Sequence, residues 1–189
     1  KHLTDYAIKY YQNLLEKYGK GRERKTEIRT FDTIQATVVA ANNAKLYVNR
    51  ADGFVGYGLK KDEFICDCSD LDDVIVIRRD GICVVTKIQE KGFVGKDILH
   101  VAVFRKGDER MVSNLAYLDG GSGRTMVKRF QVLGVTRDRE YDLTKGSKGS
   151  KVLYLTANPN GEAEVVAVHL TQGAKAKIKI FDFDLSSIE

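Results

Sequence analysis

One pattern is written four times along this chain: strand, Asp-Gly or Asn-Gly, strand. Residues 44–59 read AKLYVNR-ADG-FVGYGL and 72–88 read DDVIVIRR-DG-ICVVTKI. Residues 111–132 read MVSNLAYL-DGGSG-RTMVKRFQV and 150–170 read SKVLYLTA-NPNG-EAEVVAVHL. The flanking runs are rich in Val, Ile, Tyr and Phe, which suit a pleated, half-buried surface. Asp52-Gly53, Asp80-Gly81, Asp119-Gly120 and Asn160-Gly161 are hairpin signals, because these pairs tolerate the positive φ of a primed turn. A further strand-like run follows each hairpin: EFICDCS, DILHVAVF, GVTRDREYDLT and KIKIFDFDL. A lone hairpin buries too little to be stable. Units of this length predict a stacked or radial array of small three- or four-stranded sheets. A closed barrel or a sandwich is the competing arrangement.

The region before the repeats differs. Tyr6, Ala7, Tyr10, Tyr11, Leu14, Leu15 and Tyr18 recur at three- and four-residue steps, predicting a helix over 4–18. Thr4 or Asp5 is the expected cap, and Gly19 with Gly21 the expected stop. The ordinary role for these tyrosines is helix packing; a stacking platform for bases is the alternative. A charged linker, GKGRERKTEIRT, follows, with a second short helix expected near Thr26. We therefore expect two regions: helix and linker over 1–35, and a mainly β domain over 36–189.

The chain has 189 residues, one Pro, no Trp and three Cys. An odd, low cysteine count is no disulfide scaffold and points to a reducing compartment. No apolar run approaches the ~20 residues of a membrane helix. The N-terminus lacks the apolar core of a signal peptide. The chain opens on Lys1 rather than Met, so we expect it to begin within a longer protein.

Charge is unevenly spread. Residues 1–40 carry +3 and residues 41–122 carry −1. Residues 123–179 hold 11 Lys/Arg against 5 Asp/Glu, and the last ten residues carry −3. A concentrated basic stretch suits a polyanionic partner, with a solubilising surface as the plain alternative. Arg124, Lys128 and Arg129 flank one strand. Arg137 and Arg139 alternate, so in a strand both face one side. Lys145, Lys148 and Lys151 decorate TKGSKGSK. Lys175, Lys177 and Lys179 alternate in AKAKIKI, and Arg78, Arg79 and Lys87 extend the set from the second unit. Together these predict a basic rim for phosphate contacts, which position a duplex without reading its sequence. Arg124, Lys128, Arg129, Arg137 and Arg139 carry the greatest expected weight.

Other chemistry finds little support. His100 and His169 sit inside strand patterns, and no nucleophile elbow, P-loop or dinucleotide fingerprint is present. Cys66, Asp67, Cys68 and Asp70 cluster, but no second pair stands at zinc spacing, so no metal site and no catalytic residue is assigned. Cys83 reads as a small buried apolar residue.

At this point the residues resemble a family. GKGRERKTEI after a Tyr/Leu helix resembles the end of the coiled-coil gate region in the A subunit of bacterial type IIA DNA topoisomerases, gyrase and topoisomerase IV. The DG hairpins, with GLKKDEF, FVGKDILHVAVF, VKRFQVLGVTRDREYDLTKGSKGSKVLY and TANPNGEAEVV, resemble the blades of the C-terminal domain. The likeness is closest to the topoisomerase IV type of Bacteroides-like bacteria. It implies a mainly β fold, a β-pinwheel of about four blades behind an N-terminal helical segment. It implies an accessory role, in which the outer edge binds or bends duplex DNA without cleaving it. GYGLKKDEF stands where gyrases carry their basic, glycine-rich box, and no Q-R-R-G-G-K-G string occurs, which favours the topoisomerase IV type. The parent enzyme would be a cytoplasmic, nucleoid-associated isomerase, in which an A-subunit homodimer joins an ATPase B subunit. ATP and Mg2+ would enter through that ATPase partner, and this chain needs no cofactor of its own. The competing function is a repeat-sheet module that binds an acidic protein.

Overall fold

The computed structural model describes residues 2–21 and 43–188. The expected linker past Gly21 and the second helix near Thr26 lie outside the described residues. Two compact units divide the chain, 1–35 and 36–189.

The first unit contains helix α1, His2–Tyr18. It starts before Thr4 and Asp5, so neither caps it. The Gly19 N–H donates to the Leu15 carbonyl at 2.7 Å and closes the last turn. None of its residues is buried. The tyrosines meet one another instead, with Tyr6 and Tyr10 stacked at 6.5 Å.

The second unit is built of small antiparallel sheets. Blade 1 has the order β3-β1-β2-β6, with β1 Ala44–Asn49, β2 Phe54–Gly56, β3 Glu63–Cys68 and β6 Gly92–Phe93. Blade 2 has the order β10-β5-β4-β7, with β4 Asp73–Arg78, β5 Ile82–Lys87, β7 Ile98–Phe104 and β10 Glu140–Asp142. Blade 3 is β11-β8-β9, with β8 Val112–Leu118, β9 Thr125–Phe130 and β11 Lys151–Asn158. Strands β12, Val165–His169, and β13, Ile180–Asp184, form a two-stranded sheet. No barrel closes among the described residues, and the arrangement is that of a β-pinwheel.

Three of the four expected hairpins form: β1–β2, β4–β5 and β8–β9. In the first two turns only the glycine has positive φ, 83° at Gly53 and 88° at Gly81. In the third, Gly123 rather than Gly120 takes it, so the turn is the longer loop 119–124. The fourth hairpin does not form. Asn160 and Gly161 do turn, at φ 58° and 70°. However, β11 pairs with β8, and β12 pairs with β13. The β8 edge offers β11 a register running from Lys151↔Leu118 to Asn158↔Val112, longer than β12 provides.

The run after each hairpin splits its duties. β3 returns to β1, β7 to β4 and β11 to β8. β6 and β10 instead cross back to the preceding blade, covering the outer edges of β2 and β5. Covering an edge satisfies backbone groups that would otherwise be unpaired. GVTRDREYDLT therefore supplies only the three-residue β10 to blade 2, and Asp138 before it breaks the extended pattern at φ 59°.

Successive units are joined by a repeated pair of main-chain bonds. The Gly53 carbonyl accepts from Val94 N–H at 2.9 Å and the Arg50 carbonyl from Ile98 N–H at 3.1 Å. One unit later, Gly81 accepts from Leu143 at 2.8 Å and Arg79 from Val152 at 2.8 Å. These bonds bring the turn end of each blade against the return strand of the next. Gly53 is required twice over, because a Cβ there would sit 2.4 Å from the Gly95 backbone.

Blade 2 lies between its neighbours, which explains its unbroken apolar strand VIVI. Val74, Val76 and Val84 face Leu46, Val48 and Val55 of blade 1. Ile75, Ile77, Cys83 and Val85 face the other way, toward Leu143 and Leu155. A strand covered on both faces reads as continuous apolar residues rather than alternation. Each such valine or isoleucine contributes roughly 1.5–3 kcal/mol of burial.

Candidate nucleic-acid interface

Return strands β3, β7 and β11 all begin at the hairpin-turn end of their blades. Glu63 pairs opposite Val48, Ile98 opposite Arg78 and Lys151 opposite Leu118. The loop entering each return strand carries lysine: Lys60 and Lys61 before β3, Lys96 before β7, and Lys145, Lys148 and Lys151 at β11. The loop Gly95-Lys96-Asp97 thus stands where TKGSKGSK stands one unit later.

The fold sorts the fourteen cations expected on the rim. Arg79, Arg124, Lys145, Lys148 and Lys151 are exposed and have no ion pair among the described residues. They converge on one end of blades 2 and 3. Lys151 and Thr125 flank Leu118 from either side, placing Lys151 and Arg124 beside the 119–124 loop. The bond from Val152 N–H to the Arg79 carbonyl brings Arg79 to the same place.

Other members are employed inside the fold. Arg78 bonds the Val94 carbonyl at 3.1 Å, Glu140 at 2.6 Å and Asp80 at 3.1 Å. Its side chain is only 12% exposed, which makes it a staple between blades rather than a rim residue. Arg129 donates to the Gly161 carbonyl. Arg137 holds Asp73 at 2.8 Å, and Arg139 lies 5.4 Å from the Tyr141 ring centre. The expected common face for Arg137 and Arg139 therefore does not exist, because Asp138 turns the chain between them. Lys128 is partly covered over the Phe130 ring, and burial draws its ammonium below the usual lysine range. Lys87 is exposed at the far end of β5, across from Asp73. Lys175, Lys177 and Lys179 precede β13 rather than lie in it, and Lys179 bonds the carbonyls of its own loop.

Sequence reasoning missed Lys60, Lys61 and Lys96 as rim residues. The signal was available: each stands in the short segment just before a return strand.

Cys68 and Cys83 are buried, and burial pushes each thiol up to about 11. Such thiols are poor nucleophiles and poor metal ligands. Cys66 is raised in the same direction, first by burial and then by Asp67. His100 in β7 is held below its usual value by burial and by Arg50. No group of three or more His, Cys, Asp or Glu among the described residues is arranged to hold a metal ion. No described helix is long and apolar enough to cross a membrane.

Comparison with known proteins agrees with this architecture. Residues 45–189 match the family model described as topoisomerase C-terminal domain, Bacteroidota. In Borreliella burgdorferi, the A subunit of DNA topoisomerase 4 is 30% identical over 141 residues, covering 74% of this chain. The chain spans 22% of that relative's length. No solved structure matches. A pinwheel of DG hairpins with a lysine-bearing turn-end rim, matched over 45–189, belongs to the topoisomerase C-terminal domain family of Bacteroidota.

Proposed function

We propose that this chain is the accessory DNA-binding domain of a type IIA topoisomerase, carried on an A subunit of the topoisomerase IV kind. It holds duplex DNA along the turn-end rim and bends it without cutting it. The observation that carries this reading is the convergence of Arg79, Arg124, Lys145, Lys148 and Lys151, exposed and without ion pairs among the described residues. Family membership supplies the context, and the relative's name supplies DNA as the substrate class.

Mechanistically, each rim cation that meets a phosphate releases condensed counterions, and that release supplies affinity. The rim follows successive blades, so a duplex that touches all of it must curve. The extra contacts offset the elastic cost of bending, about 1–6 kcal/mol for a site of 20–30 base pairs. No described helix of the second unit presents side chains to a groove, so binding is expected to be insensitive to base sequence. In the parent enzyme, the A subunit pairs with itself and with an ATPase B subunit that brings ATP and Mg2+. That assembly works on nucleoid DNA in the cytoplasm.

The test is a salt series with a duplex of ~40 base pairs. About six phosphate contacts give a log–log slope near −5. Ring closure of short duplexes then reports bending. A flat slope, or no binding at low salt, overturns the reading and turns attention to an acidic protein partner.

A further inference from the structure

An acidic residue lies at the centre of the basic convergence. Asp119 closes β8 and is only 4% exposed. Its carboxylate accepts from Ser122 N–H at 3.0 Å and from the Ser122 hydroxyl at 2.5 Å. Its main chain closes the same loop, with Asp119 N–H donating to the Arg124 carbonyl at 2.9 Å and Gly123 N–H donating to the Asp119 carbonyl at 2.8 Å. The neighbouring loop is locked to this one. Gly120 N–H donates to the Ser150 hydroxyl at 3.1 Å, and that hydroxyl donates to the Ser147 carbonyl at 2.7 Å. The contact is close: a Cβ on Gly120 would lie 2.2 Å from the Lys148 carbonyl oxygen, and one on Gly121 would lie 3.0 Å from the Ser147 hydroxyl. The two bonds from Ser122 meet the same carboxylate oxygen and are the leading reason the Asp119 carboxyl is held down at about 2, so it is charged at any ordinary pH.

We propose that Asp119 is a positioning residue of the polyanion site, an anion that strengthens binding of a phosphodiester backbone by fixing the loops that carry Arg124, Lys145, Lys148 and Lys151. This rests on the DNA-binding reading above. The reason is entropic. Lysines on a free Gly/Ser loop must be ordered when phosphate binds, at roughly 0.5–1.5 kcal/mol for each immobilised side chain, besides the backbone. Serine hydroxyls and a buried carboxylate order the backbone beforehand and leave every ammonium free. A cation doing that work would have been consumed by it, as Arg78 is.

Simple electrostatics predicts the opposite. Asp119→Asn raises the net charge by one and would tighten DNA binding if charge alone mattered. Binding of the 189-residue chain to a duplex of ~40 base pairs is measured across a salt series for the parent chain, D119N and Gly120→Ala. D119N is expected to bind at least tenfold more weakly near 0.1 M salt. Its slope is expected to flatten by about 2 to 3, the signature of lost phosphate contacts rather than lost folded protein. G120A, which leaves charge untouched, is expected to do the same. A DNA-independent arm follows trypsin cleavage after Lys145 and Lys148, expected to speed up at least tenfold in both variants. Should D119N melt below the assay temperature, Ser122→Ala combined with Ser150→Ala removes the hydroxyl that bonds Asp119 and the hydroxyl that ties Gly120 to Ser147, and is expected to reproduce both effects. Equal or tighter binding by D119N, with unchanged slope and unchanged cleavage, overturns the proposal. Failure of the parent chain to bind DNA overturns the function instead, while the cleavage arm still reports on the loop.

Discussion

The joint between blades 1 and 2 and the turn end of blade 3 use the same kinds of residue for opposite purposes. At the joint, arginine does the holding. Arg50 bonds the Leu99 carbonyl at 2.7 Å and Glu63 at 2.7 Å, and Arg78 bonds Val94, Glu140 and Asp80. Their charge is spent on the fold. At the end of blade 3, Asp119, Ser122, Ser147, Ser150 and two glycines do the holding, and the cations remain free. Basic composition alone therefore says little about a rim. What decides is whether neutral donors or cations satisfy the local backbone.

The largest effect expected from this contrast is on DNA. Reversing Arg124, Lys148 and Lys151 together to Glu should weaken binding well over tenfold at moderate salt, since three contacts account for about 2.7 of the log–log slope. Melting temperature should hardly move, because none of the three has an ion-pair partner among the described residues. The mirror experiment is Arg78→Ala. Losing a partly buried arginine with three partners should cost about 2–3 kcal/mol in urea unfolding, while DNA affinity below the melting point stays within about twofold. An Arg78 variant that folds normally and fails to bind DNA would erase the distinction.

Two glycines sharpen it further. Gly53→Ala places a methyl 2.4 Å from the Gly95 backbone at φ 83°, and should cost more than about 2 kcal/mol. Gly123→Ala meets nothing within 4 Å, so only its φ of 65° opposes it, at about 1 kcal/mol. Urea melts of both variants test the order.

Acid gives the smallest effect. The Asp119 carboxyl, lowered from 3.8 to about 2, stabilises the folded loop fully above pH 3.8 and stops doing so as pH falls through about 2. Glu63 is lowered too, chiefly by its hydrogen bond to Arg50, and loses its contribution as pH falls below the usual 4.5. Carboxyl NMR titration should show an Asp119 midpoint near 2, and that midpoint should rise when Ser122 is replaced by Ala.

Much of the fold is legible in residues. The DG dipeptides locate Gly53 and Gly81, because positive φ is a local demand that few residues meet. The run VIVI announces a doubly buried strand. The candidate site is legible as a list, since Arg79, Arg124, Lys145, Lys148 and Lys151 all stand in it. Their separation from Arg78, Arg129 and Arg137 is not legible, because those partners lie far along the chain: Glu140 for Arg78, Gly161 for Arg129 and Asp73 for Arg137. The fourth hairpin fails for a related reason. NPNG does turn the chain, but a turn does not choose a strand's partner.

By itself the sequence determined the unit: turn positions, the apolar faces and the amount of positive charge. These follow from φ preferences and side-chain periodicity, which act within a few residues. Only the tertiary structure decided which edges are covered by β6 and β10, which cations are consumed, and that an aspartate sits among the lysines. Those are contests between partners distant in the chain, settled by which backbone groups and charges would otherwise be left without a partner.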